Sequence, residues 1–143
     1  MSILKIAFLQ LMPGADAAEN REIGLRACRE AKEMGADIAL FPEMWSSGYR
    51  IPATETERRE LPVAADGPFV RAFREEAEKL RMAVGITYLE RYDPLPRNTL
   101  SLFDRRGEEV LRYAKVHTCD FDIERQLARG DGVYTAPLEP GAG

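Results

Sequence analysis

The chain is poor in the residues that most often carry metal and redox chemistry: one histidine, two cysteines and one tryptophan occur in 143 residues. Cys28 and Cys119 cannot build the disulfide framework of a small secreted domain. A structural zinc site needs about four ligands; "HTC" at 117–119 offers two, with only Cys28 besides. Neither a metal nor a cofactor is expected. Positive charge is not in excess either, since 20 Lys and Arg face 24 Asp and Glu for a net charge of -4. That balance argues against nucleic acid and anionic membrane as partners. No apolar run reaches the roughly 20 residues that cross a bilayer, and no charged-then-apolar leader is found. A reducing cytoplasm is the expected setting. Two fingerprints are missing as well. "SSGY" has glycine on one side only, unlike the G-x-S-x-G turn of serine hydrolases, and "GDGVYT" lacks the third glycine and the following helix of a phosphate cradle.

What is present is 45% hydrophobic and 31% charged, enough for one globular domain or part of one, and best suited to a small-molecule role. Strand and helix signals alternate. Residues 5–11, "KIAFLQL", form a nearly continuous apolar run expected of a strand buried on both faces. Ile23, Ala27, Ala31 and Met34 then recur at helical spacing, with Asp16 as N-cap, Glu19 three residues on and Gly35 to stop the helix. Residues 36–41 read as a second buried strand, so strand, helix and strand predict a β-α-β unit with parallel neighbours. Residues 51–62 lack a clean period and predict a surface loop or short helix. After Asp66-Gly67-Pro68, Phe69, Phe73, Ala77 and Leu80 mark a second amphipathic helix. Residues 82–89 predict a third strand, and 98–103 with 109–116 a hairpin around "DRRG". Residues 130–143, with four glycines and two prolines, read as a connection.

Two segments carry chemistry. In "ALFPEMWSSGY" (39–49), Glu43 follows the second strand at its carboxyl end, where open α/β sheets place their ligand sites, and Pro42 restricts the backbone that presents it. Taken alone, a glutamate there is more often a solvated loop charge. In "YAKVHTCDFD" (113–122), Lys115, His117 and Cys119 cluster within five residues. The plain alternative is an edge-strand lysine, a hydrogen-bonded histidine and a small buried cysteine.

The two segments in this order, with "KIAFLQLMPG" before them and "GITYLE" between, resemble the nitrilase superfamily of carbon-nitrogen hydrolases across essentially the whole chain. The resemblance implies an α/β fold that is part of a four-layer α-β-β-α sandwich. It also implies a Glu-Lys-Cys triad in which Glu43 is the acid and Lys115, in a Y-x-K-x-H-like segment, is the lysine. Glu124, ahead of "ARGD", matches a further family glutamate that orients the lysine, although Arg129 stands where proline is common. Trp45 and Tyr49 fall in the loop that lines the substrate pocket in such enzymes; as aromatics they serve equally well for packing.

The third triad member has no match. The family cysteine sits in a segment resembling G-x-x-I-C-x-D, which is absent here; Cys28 lies on the core stripe of the first helix, and Cys119 lies in the lysine's own motif. The resemblance therefore implies that residues 1–143 are the amino-terminal portion of one catalytic domain, ending before the nucleophile strand. Its substrate would be a small amide, carbamoyl compound or nitrile, and the enzyme a homo-oligomer. An incomplete sheet would expose an edge and apolar faces that favour self-association. The alternative is a catalytically silent protein that keeps a small-molecule-binding or assembly role.

Overall fold

The computed structural model describes residues 3–119 and 123–138. Helix α1, Ala17–Glu33, begins as its caps predict. Asp16 stands in extended conformation and accepts from the Glu19 N–H at 2.9 Å, while the Glu19 carboxylate turns back to the Ala15 N–H at 2.7 Å. The chain leaves the helix through Gly35, whose φ of +80° suits glycine. Residues 51–62 contain a short helix, α2, Glu55–Glu60, fastened by a reciprocal Thr54 and Glu57 capping box. Helix α3, Pro68–Leu80, opens on proline at its first turn. The buried stripe of α1 is small, including Gly24, Ala27, Cys28 and Ala31. A Cβ on Gly24 would stand 2.8 Å from the rings of Phe41 and Phe73, so glycine there sets how closely α1 meets the aromatic core.

Five strands, β1 (Ile6–Phe8), β2 (Ile38–Leu40), β3 (Ala83–Glu90), β4 (Arg97–Phe103) and β5 (Glu109–Ala114), form one sheet in the order β1-β2-β3-β4-β5. The β1-β2 and β2-β3 pairs are parallel, while β3-β4 and β4-β5 are antiparallel. The predicted β-α-β unit and the "DRRG" hairpin both stand.

The pleat divides this sheet into two unlike faces. Ala39, Val84, Ile86, Tyr88 and Phe103 pack with Phe41, Trp45, Phe69 and Phe73 under α1 and α3. The opposite face, paired through Ile6, Ile38, Phe8 and Leu40 and continued by Leu100 and Leu102, is covered by neither α1 nor α3 among the described residues, although Leu89 at its end packs with Met44, Ile51 and Leu127. Strand β1 departs from expectation here. Ile6 is 42% and Phe8 72% exposed, since helices cover only the face to which Ala7 contributes. An apolar run read as doubly buried is covered on one side only.

Candidate active site

Glu43 is presented by a tightly fastened turn. Phe41 still pairs with the sheet, its N–H donating to Gly85 O at 3.1 Å, before Pro42 ends the strand. The Thr87 hydroxyl on β3 donates to Pro42 O and accepts from the Trp45 N–H at 3.1 Å, clasping both sides of Glu43. Asn20 of α1 donates through Nδ2 to the carbonyls of Trp45 and Ser46 at 3.1 and 3.3 Å, and Ser46 Oγ accepts from the Leu89 N–H at 3.0 Å. These bonds hold two non-glycine residues in the left-handed region, Met44 at φ +49° and Tyr49 at +64°. Such conformations cost about 1–3 kcal/mol each and persist where the surroundings impose them.

Lys115 comes from the other side of the sheet's end. It follows β5 directly, and its backbone is pinned on both sides: its N–H donates to Asn98 O at 2.8 Å, and its carbonyl accepts from the Gly130 N–H at 2.9 Å. That second contact needs glycine, because a Cβ on residue 130 would fall 2.0 Å from Ala114 O. From this position Lys115 Nζ donates to Glu43 Oε1 at 2.8 Å and to Glu124 Oε1 at 3.0 Å. Glu124, in a single 3-10 turn at Ile123–Gln126, also accepts from Tyr49 Oη at 2.8 Å and, through Oε2, from the Cys119 N–H at 2.7 Å.

Sequence reasoning thus named four residues that the fold brings into one network, Glu43, Lys115, Glu124 and Tyr49. Trp45 is not among them. It is 1% exposed within the helix-side core, and its indole N–H donates to Asn20 O at 2.9 Å, so its surroundings are those of a packing residue. Asn98 was missed. It is the second residue of β4, is buried, and donates through Nδ2 to Glu43 Oε1 at 2.6 Å. The signal available was a polar side chain on the stripe continued by Leu100 and Leu102; nothing in the sequence said that Glu43 lay opposite.

The electrostatics separate the charged groups. The hydrogen bond to Glu43 holds the Lys115 ammonium above the ordinary lysine range, against the opposing effect of burial and with help from Glu124. Burial alone would push the Glu124 carboxyl up. The hydrogen bonds from the Cys119 N–H, Tyr49 and Lys115, with the lysine's charge, pull it instead down to about 2. Tyr49 is pushed up to about 12, chiefly by its bond to that carboxylate. Near neutral pH, then, Lys115 is a fixed cation and Glu124 a fixed anion with both oxygens occupied. Neither is placed to carry a proton back and forth. Glu43, by contrast, has its side chain 45% exposed against 3% for Glu124.

The two cysteines are placed differently. Cys28 is fully buried beneath α1, and burial, followed by the nearby Glu76 charge, pushes its thiol up to about 12. Cys119 is exposed and enters the network through its backbone N–H. Among the described residues, no group of three or more His, Cys, Asp and Glu is arranged to hold a metal.

The carbon-nitrogen hydrolase family model matches residues 5–140. Among known proteins, the chloroplastic omega-amidase of Arabidopsis thaliana is 28% identical over 124 residues, covering 85% of this chain and 34% of that protein. The bromoxynil-specific nitrilase of Klebsiella pneumoniae subsp. ozaenae is 30% identical over 140 residues, covering 90% and 40% respectively. Among solved structures, Saccharomyces cerevisiae Nit3, a member of the nitrilase superfamily, matches with a TM-score of 0.79 at 21% identity, over 96% of this chain and 52% of that one. A variant of the amidase from Nesterenkonia sp. AN1 in complex with butyramide matches with a TM-score of 0.76 at 24% identity, over 90% and 49%. This chain spans about a third to a half of the length of these relatives.

Proposed function

The chain belongs to the carbon-nitrogen hydrolase family, and from that premise we propose that it carries the acid and lysine of an amide-hydrolysing site whose cysteine nucleophile lies outside residues 1–143. Its helices and sheet are part of a four-layer α-β-β-α sandwich of the nitrilase type. The observation that supports the assignment of roles is Lys115 Nζ, shared at 2.8 and 3.0 Å between a half-exposed glutamate and a buried one.

A thiol with pKa near about 8.5 is only a few per cent thiolate at neutral pH, so a carboxylate within reach is needed to take its proton. Glu43 takes it as sulfur bonds to the carbonyl carbon of a small amide. The carbonyl π pair moves onto oxygen, and Lys115 lies on that side as a fixed positive charge. Collapse of the intermediate breaks the carbon-nitrogen bond, with Glu43 returning the proton to departing ammonia. Glu43 then deprotonates water, hydroxide displaces the thiolate from the thioester, and the proton it holds goes back to sulfur. Glu124 orients Lys115 throughout. Carbamoyl compounds present a carbonyl carbon likewise, and a nitrile an electrophilic carbon from which the π pair moves onto nitrogen instead of oxygen. The enzyme is read as cytoplasmic and homo-oligomeric, in keeping with a chain of two free cysteines and an open apolar sheet face.

Ammonia release from butyramide tests this reading. The protein of the complete reading frame is expected to release it, and Glu43→Gln and Lys115→Met to lose that activity. The 143-residue chain alone is expected to release none, behaving as a silent binding or assembly module. Ammonia release by the chain alone that disappears in Cys119→Ala would place the nucleophile inside residues 1–143 and overturn the proposal.

A further inference from the structure

Asn98 is a buried side chain whose carboxamide the triad chemistry does not use. It is the second residue of β4, pairs with Leu89 of β3 and lies on the sheet face away from α1 and α3. Its backbone and side chain touch both partners of the charge pair. Asn98 O accepts from the Lys115 N–H at 2.8 Å, and Asn98 Nδ2 donates to Glu43 Oε1 at 2.6 Å. Lys115 Nζ donates to that same oxygen at 2.8 Å. Glu43 Oε1 therefore carries two donors, one of them charged, while no donor among the described residues meets Oε2. A carboxylate oxygen with two donors has its lone pairs committed and is the poorer proton acceptor.

We infer that Asn98 is a positioning residue for Glu43: with Lys115 it occupies Oε1 and so assigns Oε2 as the oxygen that takes and returns the proton. The inference rests on Glu43 as the base. It adds which atom acts and what fixes it. Glu43 sits on a turn, and the lysine is a long flexible chain with rotatable donors, so one ammonium alone leaves the carboxylate free to exchange its oxygens. A carboxamide rooted in a strand has one fixed direction of approach. Because Asn98 also holds the Lys115 backbone, both partners are referred to the first residues of β4, and rotation of Glu43 would break a charge-assisted bond in a partly buried place.

The contact can be read on the 143-residue chain without turnover, from the side-chain amide signals of 15N-labelled asparagine. In the parent, one Nδ2 proton of Asn98 is expected to lie downfield and to shift as the Glu43 carboxylate is titrated with acid. In Glu43→Gln that pH response is expected to vanish, with exchange of the amide protons at least about tenfold faster. Lys115→Met, at a partly exposed position, is expected to leave the response in place. An Asn98 amide held merely for structure would show the same signal in the parent and Glu43→Gln, and that result overturns the inference. Loss of the response in Lys115→Met also overturns it, since the lysine would then be the sole orienting group.

Failure of the base reading is distinguishable. If the amide tracks Glu43 but Glu43→Gln in the complete protein still hydrolyses butyramide, the contact stands and the catalytic assignment falls, taking the choice of Oε2 with it.

Discussion

The turn after β2 and the turn that follows β5 each bring one glutamate to Lys115, and they treat it in opposite ways. Glu43 is half-exposed and has one oxygen bonded to described neighbours. Glu124 is buried, with Tyr49, Lys115 and the Cys119 N–H engaging both oxygens. Identical side chains sharing one ammonium thus stand in unlike surroundings, and it is from these that the proposed function gives them different tasks. Multiple donors lock Glu124 in its ionised form and make it an anchor. Glu43 is left open, with Oε1 alone bonded to described neighbours.

The harshest way to break this contrast is to remove each acid in turn and follow urea unfolding at pH 7. Glu124→Ala strands a partly buried ammonium and two donors, and is expected to cost about 3 kcal/mol. Glu43→Ala is expected to cost about 1 kcal/mol, in keeping with a more exposed pair. Equal losses would erase the distinction between anchor and base.

Acid sharpens the same contrast. The Glu124 carboxyl is depressed to about 2 in the folded chain against about 4.3 when unfolded. Its stabilisation is therefore complete above the unfolded value and is lost as pH falls from about 4.3 toward about 2. The parent is expected to lose on the order of 2–3 kcal/mol across that window through this group, and Glu124→Gln to show a correspondingly flatter slope. Unfolding curves at pH 7, 4 and 3 measure it; parallel slopes would remove the argument for a permanently ionised anchor. The smallest expected change is that of Tyr49→Phe, which deletes one of the three hydrogen bonds on the Glu124 carboxylate and should cost about 1 kcal/mol. Thermal or urea unfolding reads it directly, and no change would mean that the tyrosine hydroxyl is well served by water.

What the sequence made legible was local. Asp16, Glu19 and Gly35 mark the limits of α1 because caps depend on neighbours a few residues away, whereas residues 51–62 were open to a loop or a short helix, and the Thr54 and Glu57 capping box that fastens α2 was not noticed. The pairing of Glu43 with Lys115 came instead from a resemblance between whole segments, since 72 residues separate them. Asn98 was hidden because its role depends on register: Leu89 opposite it and Glu43 beside it are set by strand pairing. Trp45 was open to two readings for the converse reason. Position beside a probable acid suggested the pocket, but the left-handed Met44 turns the chain so that the indole enters the core. Strand β1 was read as doubly buried because hydrophobicity says that a residue avoids water, not which layer covers it.

Gly130 has a consequence beyond its own close fit. Its N–H closes onto Lys115 O, and the Ala128 N–H onto Pro96 O, so the chain returns to the place it left and forms a noose with Glu124 inside its span. The ends of a noose stay put whatever the length of cord between them. A side chain at residue 130 would prise that crossing open, and with it the anchorage that the returning chain gives the Lys115 backbone. The station of the shared cation thereby hangs on one hydrogen atom in place of a methyl group.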